Sequence, residues 1–290
     1  MTLFALLLVI VAAICHASWN LLAKRAANVG PAFVFAYGLC SAILFAPWVL
    51  WVLIFEQNDW NWSILGCILL SGTLHLAYSL SLQRGYQVAD LSVVYPISRG
   101  TGPFLATLGA ILFIREPATL LGLGGMLSVV AGVLMIATQG QIKRLLKPEA
   151  MIGVRWGLLV GLLIAAYTLV DAYGVKVLAI APVLLDWSTT VSRTVMMLPH
   201  MAKQPKRSWQ AMLGYWPVAW PVGLLSPLGY ILVLYALRDG APVSLVAPAR
   251  EMSMLLVTLG GLYVLREPVG WGRLVGCCFI ALGVVMLAGS

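Results

Sequence analysis

Residues 107–137 read TLGAILFIREPATLLGLGGMLSVVAGVLMIA, and residues 258–288 read TLGGLYVLREPVGWGRLVGCCFIALGVVMLA. The stretches align without a gap at an offset of 151: Arg115-Glu116-Pro117 falls on Arg266-Glu267-Pro268, Gly125 on Gly276 and Gly132 on Gly283. Upstream the match continues at 152, pairing Tyr78 with Tyr230, Ser92 with Ser244 and Pro96 with Pro248. It returns to 151 at Arg99 and Arg250, so the second copy has lost one residue between its proline and its arginine. A repeat over this distance means that one structural unit occurs twice.

Composition says where that unit lives. Of 290 residues, 61% are hydrophobic and only 10% charged, against roughly 25% charged in soluble domains. The mean hydropathy is +0.96. Such a chain cannot cover a surface facing water, which excludes a cytosolic enzyme, a secreted disulfide scaffold and a disordered tail. The net charge of +8 would suggest nucleic acid in a soluble protein. Here most basic residues sit in short gaps between apolar runs, with no base-stacking motif beside them, and no nucleic-acid partner is expected. Cys15, Cys40, Cys67, Cys277 and Cys278 all lie inside apolar runs without CxxC or Cys/His metal spacing, so they read as packing residues.

A bilayer span needs about 20 mainly apolar residues. The chain offers ten such stretches, at 2–24, 31–55, 62–83, 88–114, 118–138, 155–178, 182–201, 215–237, 241–265 and 269–289. Residues 3–17 have the length of a signal peptide but lack its basic leading region. They also run into Asn20, which aligns with Asp171 across the repeat, so they read as the first helix. Five spans per copy is an odd number, and the second copy must therefore enter the membrane the other way up. The fold class expected is an all-α integral membrane protein of about ten transmembrane helices, two inverted five-helix repeats around a central cavity. The first repeat covers 1–139, a basic linker 140–154, and the second repeat 155–290. Inverted repeats of this kind build secondary transporters, with the substrate site near midplane.

Alternate connections differ in charge. One set carries Lys24, Arg25, Arg84, Lys143, Arg144, Lys147, Arg155, Lys203, Lys206, Arg207 and Arg266; the other carries Arg115, Lys176 and Arg238. Eleven against three places the first set in the cytoplasm and both termini on the far side of a plasma (inner) membrane.

An ionisable side chain at midplane costs on the order of 2.5–3.5 kcal/mol on insertion scales, so it faces a partner or a wet cavity. In the first span His16, Trp19 and Asn20 share a face by i, i+3, i+4 spacing. The third span has His75 and Tyr78 on one stripe. The fourth has Tyr95-Pro96-Ile97-Ser98-Arg99-Gly100-Thr101-Gly102-Pro103, whose two prolines and two glycines predict a break or kink near midplane. In the ninth, Arg250 follows Pro248 and precedes Glu251. Two readings stay open for these charges: an internal ion pair locking the halves, or an anion receptor, since guanidinium binds carboxylate or phosphonate through two parallel bonds. Two arginines beside one acid leave one cation over. The sixth span has Tyr167 and Asp171 four apart, and the eighth has Tyr230. Asp186, Thr190 and Arg193 in the seventh span read as a local polar network. Glu116-Pro117 and Glu267-Pro268 read as the first turns of the helices that follow. Gly122, Gly125, Gly132, Gly157, Gly161, Gly276 and Gly283 read as close-packing contacts.

No HExxH, GxSxG or G-x-x-x-x-G-K-[ST] pattern is present, so neither enzymatic chemistry nor direct ATP drive is expected. No cofactor and no obligate protein partner is expected; Asp171 with His16 or His75 would relay a proton if transport is proton-coupled.

The duplicated five-helix unit, the Tyr95-Pro96…Arg99 and Ala247-Pro248-Ala249-Arg250 segments, and the Glu116 and Glu267 turns ahead of Gly-studded helices resemble the EamA-type ten-helix carriers of the drug/metabolite transporter superfamily. The resemblance covers the whole chain and implies an inner-membrane carrier with a cavity lined by helices 1, 3, 4, 6, 8 and 9. It implies no particular substrate. The polar loading at His16, His75, Arg99, Asp171, Arg250 and Glu251 exceeds what a greasy drug pocket requires. The expected function is export of a small polar metabolite with an acidic group, such as an amino acid, an amino-phosphonate or an amino-sulfonate. Its acidic group would sit at Arg99 or Arg250, and its amine at Asp171. The alternatives are efflux of lipophilic cations and, in another class, a lipid flippase.

Overall fold

The computed structural model describes residues 2–26, 29–56, 60–89, 91–141, 148–263 and 270–290, and among these it contains helices and no strand. In chain order they are α1 (Leu3–Lys24), α2 (Pro31–Phe55), α3 (Trp62–Val88), α4 (Leu91–Gly109), α5 (Leu120–Thr138) and α6 (Met151–Lys176), followed by α7 (Pro182–Ala202), α8 (Pro205–Met212), α9 (Trp216–Arg238), α10 (Val243–Ala249), α11 (Met252–Tyr263) and α12 (Trp271–Ala288). Eight are long and apolar enough to cross a membrane. The other two of the ten spans are α7, which carries Asp186 and Arg193, and α10–α11, a single span interrupted at Arg250-Glu251. The chain is a multi-pass membrane protein.

Local chemistry starts the helices where the apolar runs begin. Thr2, Asn61 and Thr119 cap α1, α3 and α5 by accepting from the amides of Ala5, Ile64 and Gly122, relieving one of the orphan donors at each start. Pro31 opens α2 at a position whose N–H has no helical partner anyway. The outer faces are apolar, and Trp62 and Trp271 stand exposed at span ends, where amphipathic rings favour the membrane interface. Polarity is turned inward: Ser71, Arg99, Asp171, Arg250 and Glu251 are all buried.

The inverted symmetry is visible where α5 meets α12. A Cβ added to Gly132 would lie 2.6 Å from the Gly276 carbonyl oxygen, and one added to Gly276 would lie 2.7 Å from that of Gly132. Gly125 and Gly283 face each other in the same reciprocal way. Gly132 thus meets the repeat equivalent of Gly125, and Gly125 that of Gly132, the exchange of contacts across antiparallel helices that a two-fold in the membrane plane requires.

Three boundaries differ from expectation. The sixth helix starts at Met151 instead of 155, and α8 adds a short helix to a stretch expected to be a plain connection. The third helix continues to Val88 because Gly85 is used for packing, against Val94 and Trp156, and does not end it. The larger correction concerns the fourth span. It stays helical through Pro96, Gly100, Gly102 and Pro103, then widens into a π-helix over Ala110–Ile114. Its glycines admit neighbours: Gly100 packs on Leu134 of α5 and Gly102 on Ile164 of α6, so α4 is clamped from two sides and does not part. The break occurs in the other copy, at Arg250-Glu251, where the sequence has lost a residue.

Pro248 has no amide to offer the carbonyl of Ser244, four residues earlier. Thr107 of α4 donates its hydroxyl to that carbonyl at 3.3 Å. Glu116 serves the start of the same half-helix. Its Oε1 accepts from the Val243 amide at 2.7 Å, and its Oε2 from the Ser244 amide at 2.9 Å and hydroxyl at 2.7 Å. Lys176 pairs with Oε1 at 3.1 Å. Glu116 therefore complements the dipole of α10 in the other repeat; α5 begins three residues beyond Pro117 with its own Thr119 cap. Burial alone would raise the Glu116 pKa, but these amides, the hydroxyl and Lys176 together hold it below the usual carboxylate value. The counterpart Arg266-Glu267-Pro268 lies outside the described residues.

Candidate functional site

A cavity of about 320 Å³ opens between the two halves, within the size range of small-ligand sites. Its walls come from α1, α2, α3, α7 and α9, with Arg99 from α4, Tyr167 from α6 and Arg250 from the α10–α11 break. It reaches Ala26, Gly30 and Pro31 at the α1–α2 connection. At the opposite end, none of the connections contributes a lining residue among those described. Ion pairs stand there instead, Lys176 with Glu116 and Arg238 with Glu56, the latter at 3.9 Å.

The positive part of the wall is built around Glu251. Arg99 Nε lies 2.9 Å from Glu251 Oε2, and Arg250 Nε lies 4.0 Å from Oε1. Neither oxygen receives a hydrogen bond from a described residue, so the N–H groups are not aimed at them and the attraction is between charges. Two guanidiniums and one carboxylate leave one positive charge. His16 sharpens the effect. Trp19 Nε1 donates to His16 Nδ1 at 3.2 Å, which puts the proton of the neutral ring on Nε2. That Nε2 lies 3.3 Å from Arg99 Nη2. Two donors face each other there without a mutual hydrogen bond, and Arg99 Nη2 also donates to the Ser253 hydroxyl at 3.5 Å.

The aromatic part is a cluster of His75, Tyr78, Tyr167 and Tyr230. His75 stacks on Tyr167 at 4.0 Å, and Tyr78 and Tyr230 meet Tyr167 edge-on at 5.6 and 6.2 Å. Asp171 stands behind this wall. Tyr230 donates to its Oδ2 at 2.6 Å, the Ser71 hydroxyl donates to its Oδ1, and His75 Nε2 lies 3.9 Å away. Thr189 extends the network to Ser71 at 3.4 Å.

Of the residues singled out by sequence, His16, Trp19, His75, Tyr78, Arg99, Tyr167, Tyr230 and Arg250 line the cavity. Asn20 donates to the His16 carbonyl of its own helix at 2.6 Å, and Tyr95 lies under the Arg99 guanidinium at 6.0 Å. Glu251 is buried behind the arginines, and Asp171 behind Tyr230. Sequence reasoning missed one wall. Asp186, Thr189, Thr190 and Arg193 form a stripe of α7 facing the cavity, opposite Tyr37 and Ser41 of α2. Their i, i+3, i+4, i+7 spacing carried the signal. No hydrogen bond or ion pair joins Asp186 to Arg193; Arg193 lies over the Tyr37 ring at 5.8 Å instead. The local network expected in α7 is therefore not formed.

A family model described as the EamA-like transporter family matches residues 3–138 and again 151–289. A search of the curated proteins finds no match. One solved structure, titled only "Crystal structure of protein", superposes with a TM-score of 0.74 at 15% identity, covering 97% of this chain and 95% of that one. At that identity the likeness concerns the fold alone.

Proposed function

The chain belongs to the EamA-like transporter family, and on that premise we propose that it exports a small polar metabolite bearing an acidic group by alternating access. The observation that carries this reading is the uncompensated positive wall. Arg99 is engaged by Glu251 and, at 3.5 Å, by the Ser253 hydroxyl, whereas Arg250 is only loosely paired and lines the cavity, and the His16 and Arg99 donors converge without bonding each other. An acidic group placed there would accept from His16 Nε2, Arg99 Nη2 and the Arg250 guanidinium, through charge-assisted bonds. Buried donors left unpaired are costly, so the site is complementary to an anion and repels a lone cation. The membrane is taken to be the inner (plasma) membrane, and export rests on the resemblance of the whole chain to carriers of that type.

The same asymmetry describes one half of a transport cycle. The cavity meets the α1–α2 connection, on the side that carries the basic loops, while the opposite side is closed by Lys176–Glu116 and the Glu116 hold on α10. Release on the far side requires that hold to part.

The test is ligand-dependent stabilisation of the detergent-solubilised protein by amino acids, phosphonates and sulfonates. A ligand present at 100 times its dissociation constant adds about 2.7 kcal/mol of stability. Arg250→Gln is expected to weaken binding of an acidic ligand by roughly 10- to 100-fold, the worth of a charge-assisted bond. If Arg250→Gln and Arg99→Gln both keep full binding and transport, the anion reading fails. Stabilisation by organic cations alone would favour cation efflux.

A further inference from the structure

We propose that Asp186 receives the ammonium group of the substrate, so that the ligand is a zwitterion with no net charge; this rests on the anion reading above and adds its opposite pole. The first support is an inventory of acids. Glu116 is held by Lys176, Val243 and Ser244, Glu56 by Arg238, Asp171 by Ser71 and Tyr230, Asp239 by Thr2 at 3.5 Å, and Glu251 by two arginines. Among acids whose side chains are described, Asp186 is the one with neither hydrogen bond nor ion pair to a described residue, and it faces the cavity. A carboxylate inside a membrane protein that feels only the charge of Arg193, with no bond to it, can take a further cation. Asp171, the acid that the sequence singled out for an amine, already has both oxygens occupied.

Charge balance is the second support. In and just behind the cavity wall stand Arg99, Arg193 and Arg250 against Asp171, Asp186 and Glu251, counting His16 and His75 as neutral. Three charges of each sign sum to zero. A free cation or a dianion would leave net charge in a low-dielectric site, whereas a zwitterion leaves none.

Placement is the third. Asp186 lies about one turn from the start of α7, toward the closed end, and Arg193 is two turns further along, roughly 10 Å by helical rise. Its neighbours on the stripe are the hydroxyls of Thr189 and Thr190, which can accept from an ammonium alongside the carboxylate. The ligand would enter with its acidic group held at Arg250 and its ammonium directed to the closed end.

The experiment compares binding of matched probes to the intact protein: taurine against ethanesulfonate, and alanine against propionate. In each pair only the ammonium is missing from the second member. Wild-type protein is expected to prefer a zwitterion over its partner by roughly 10- to 100-fold. Asp186→Asn should erase that preference, leaving the deaminated acid bound as before, and Asp186→Glu should keep part of it, which shows that loss in the first variant is not misfolding. Arg250→Gln should weaken both members of a pair alike. If Asp186→Asn keeps the preference, or weakens both members equally, the inference is overturned while the Arg250 result still supports the anion site. A wild type that prefers the deaminated acids, or binds neither class, overturns it as well. If Asp186→Asn binds normally and transport alone loses its pH dependence, Asp186 carries protons and not the ammonium, and the inference fails.

Discussion

Glu116 holds four donors on two oxygens, and each of its partners lies far away in sequence: Lys176 is 60 residues on, Val243 127 and Ser244 128. Its depressed pKa fixes the sign of a pH effect. The folded carboxyl titrates below its ordinary value of 4.5, so its contribution is complete above about pH 4.5 and is lost as pH falls through the lower folded value. Glu116→Gln removes the charge and is expected to cost about 1–3 kcal/mol. Thermal unfolding of the two proteins from pH 7 to pH 3 should show a gap at neutral pH that closes in acid; a gap independent of pH would refute the assignment. Arg99, Arg250 and Glu251 were legible in the sequence because lipid disfavours charge, so their presence alone marks an interior site. Glu116 was not, because a carboxylate before a proline has a ready local explanation and nothing nearby points to α10. Asp186 was misjudged for a similar reason: an acid and a base seven residues apart on one helix face look self-sufficient until their side chains are seen to go separate ways.

Among the helices, the α5–α12 pair is packed backbone to backbone. Gly132→Leu would force a side chain into a carbonyl 2.6 Å away, and backbone cannot yield as a flexible side chain can. Overpacking costs typically about 1–3 kcal/mol, and here the larger end is expected, read as a lowered unfolding temperature and loss of monodisperse protein. Gly66→Ala in α3 is the control, since nothing lies within 4 Å of its added Cβ. It should be neutral or stabilise by roughly 0.5–1 kcal/mol from helix propensity. If both variants behave alike, close packing is not what these glycines do. The spans and the glycine seam were readable because hydropathy and small-residue spacing are local signals. The fate of the fourth and ninth spans was not. Both carry prolines, and what separates them is tertiary: α4 is gripped by α5 and α6, while α10 hands its freed carbonyl to Thr107 and gives way two residues later.

For the molecule as a whole, the repeat, its inversion and the ten-span plan follow from the sequence, because an odd number of spans in a duplicated unit admits one arrangement in a bilayer. The cavity reaches Pro31 at the α1–α2 connection, which carries Lys24 and Arg25, and a reporter active only in the cytoplasm is expected to be silent when fused after Ser290; activity there would reverse the orientation and, with it, the side to which the cavity opens. The seam between Gly125–Gly132 and Gly276–Gly283 also has a consequence in time. Its two sides are about 150 residues apart, and at a synthesis rate of 5–20 residues per second α5 waits on the order of ten to thirty seconds before α12 exists. Throughout that interval its glycine face has only lipid or the insertion machinery to lie against. A surface that tolerates no added side chain must thus be kept clear until the last helix arrives, so an error at this seam strikes while the molecule is being made and not during its working life.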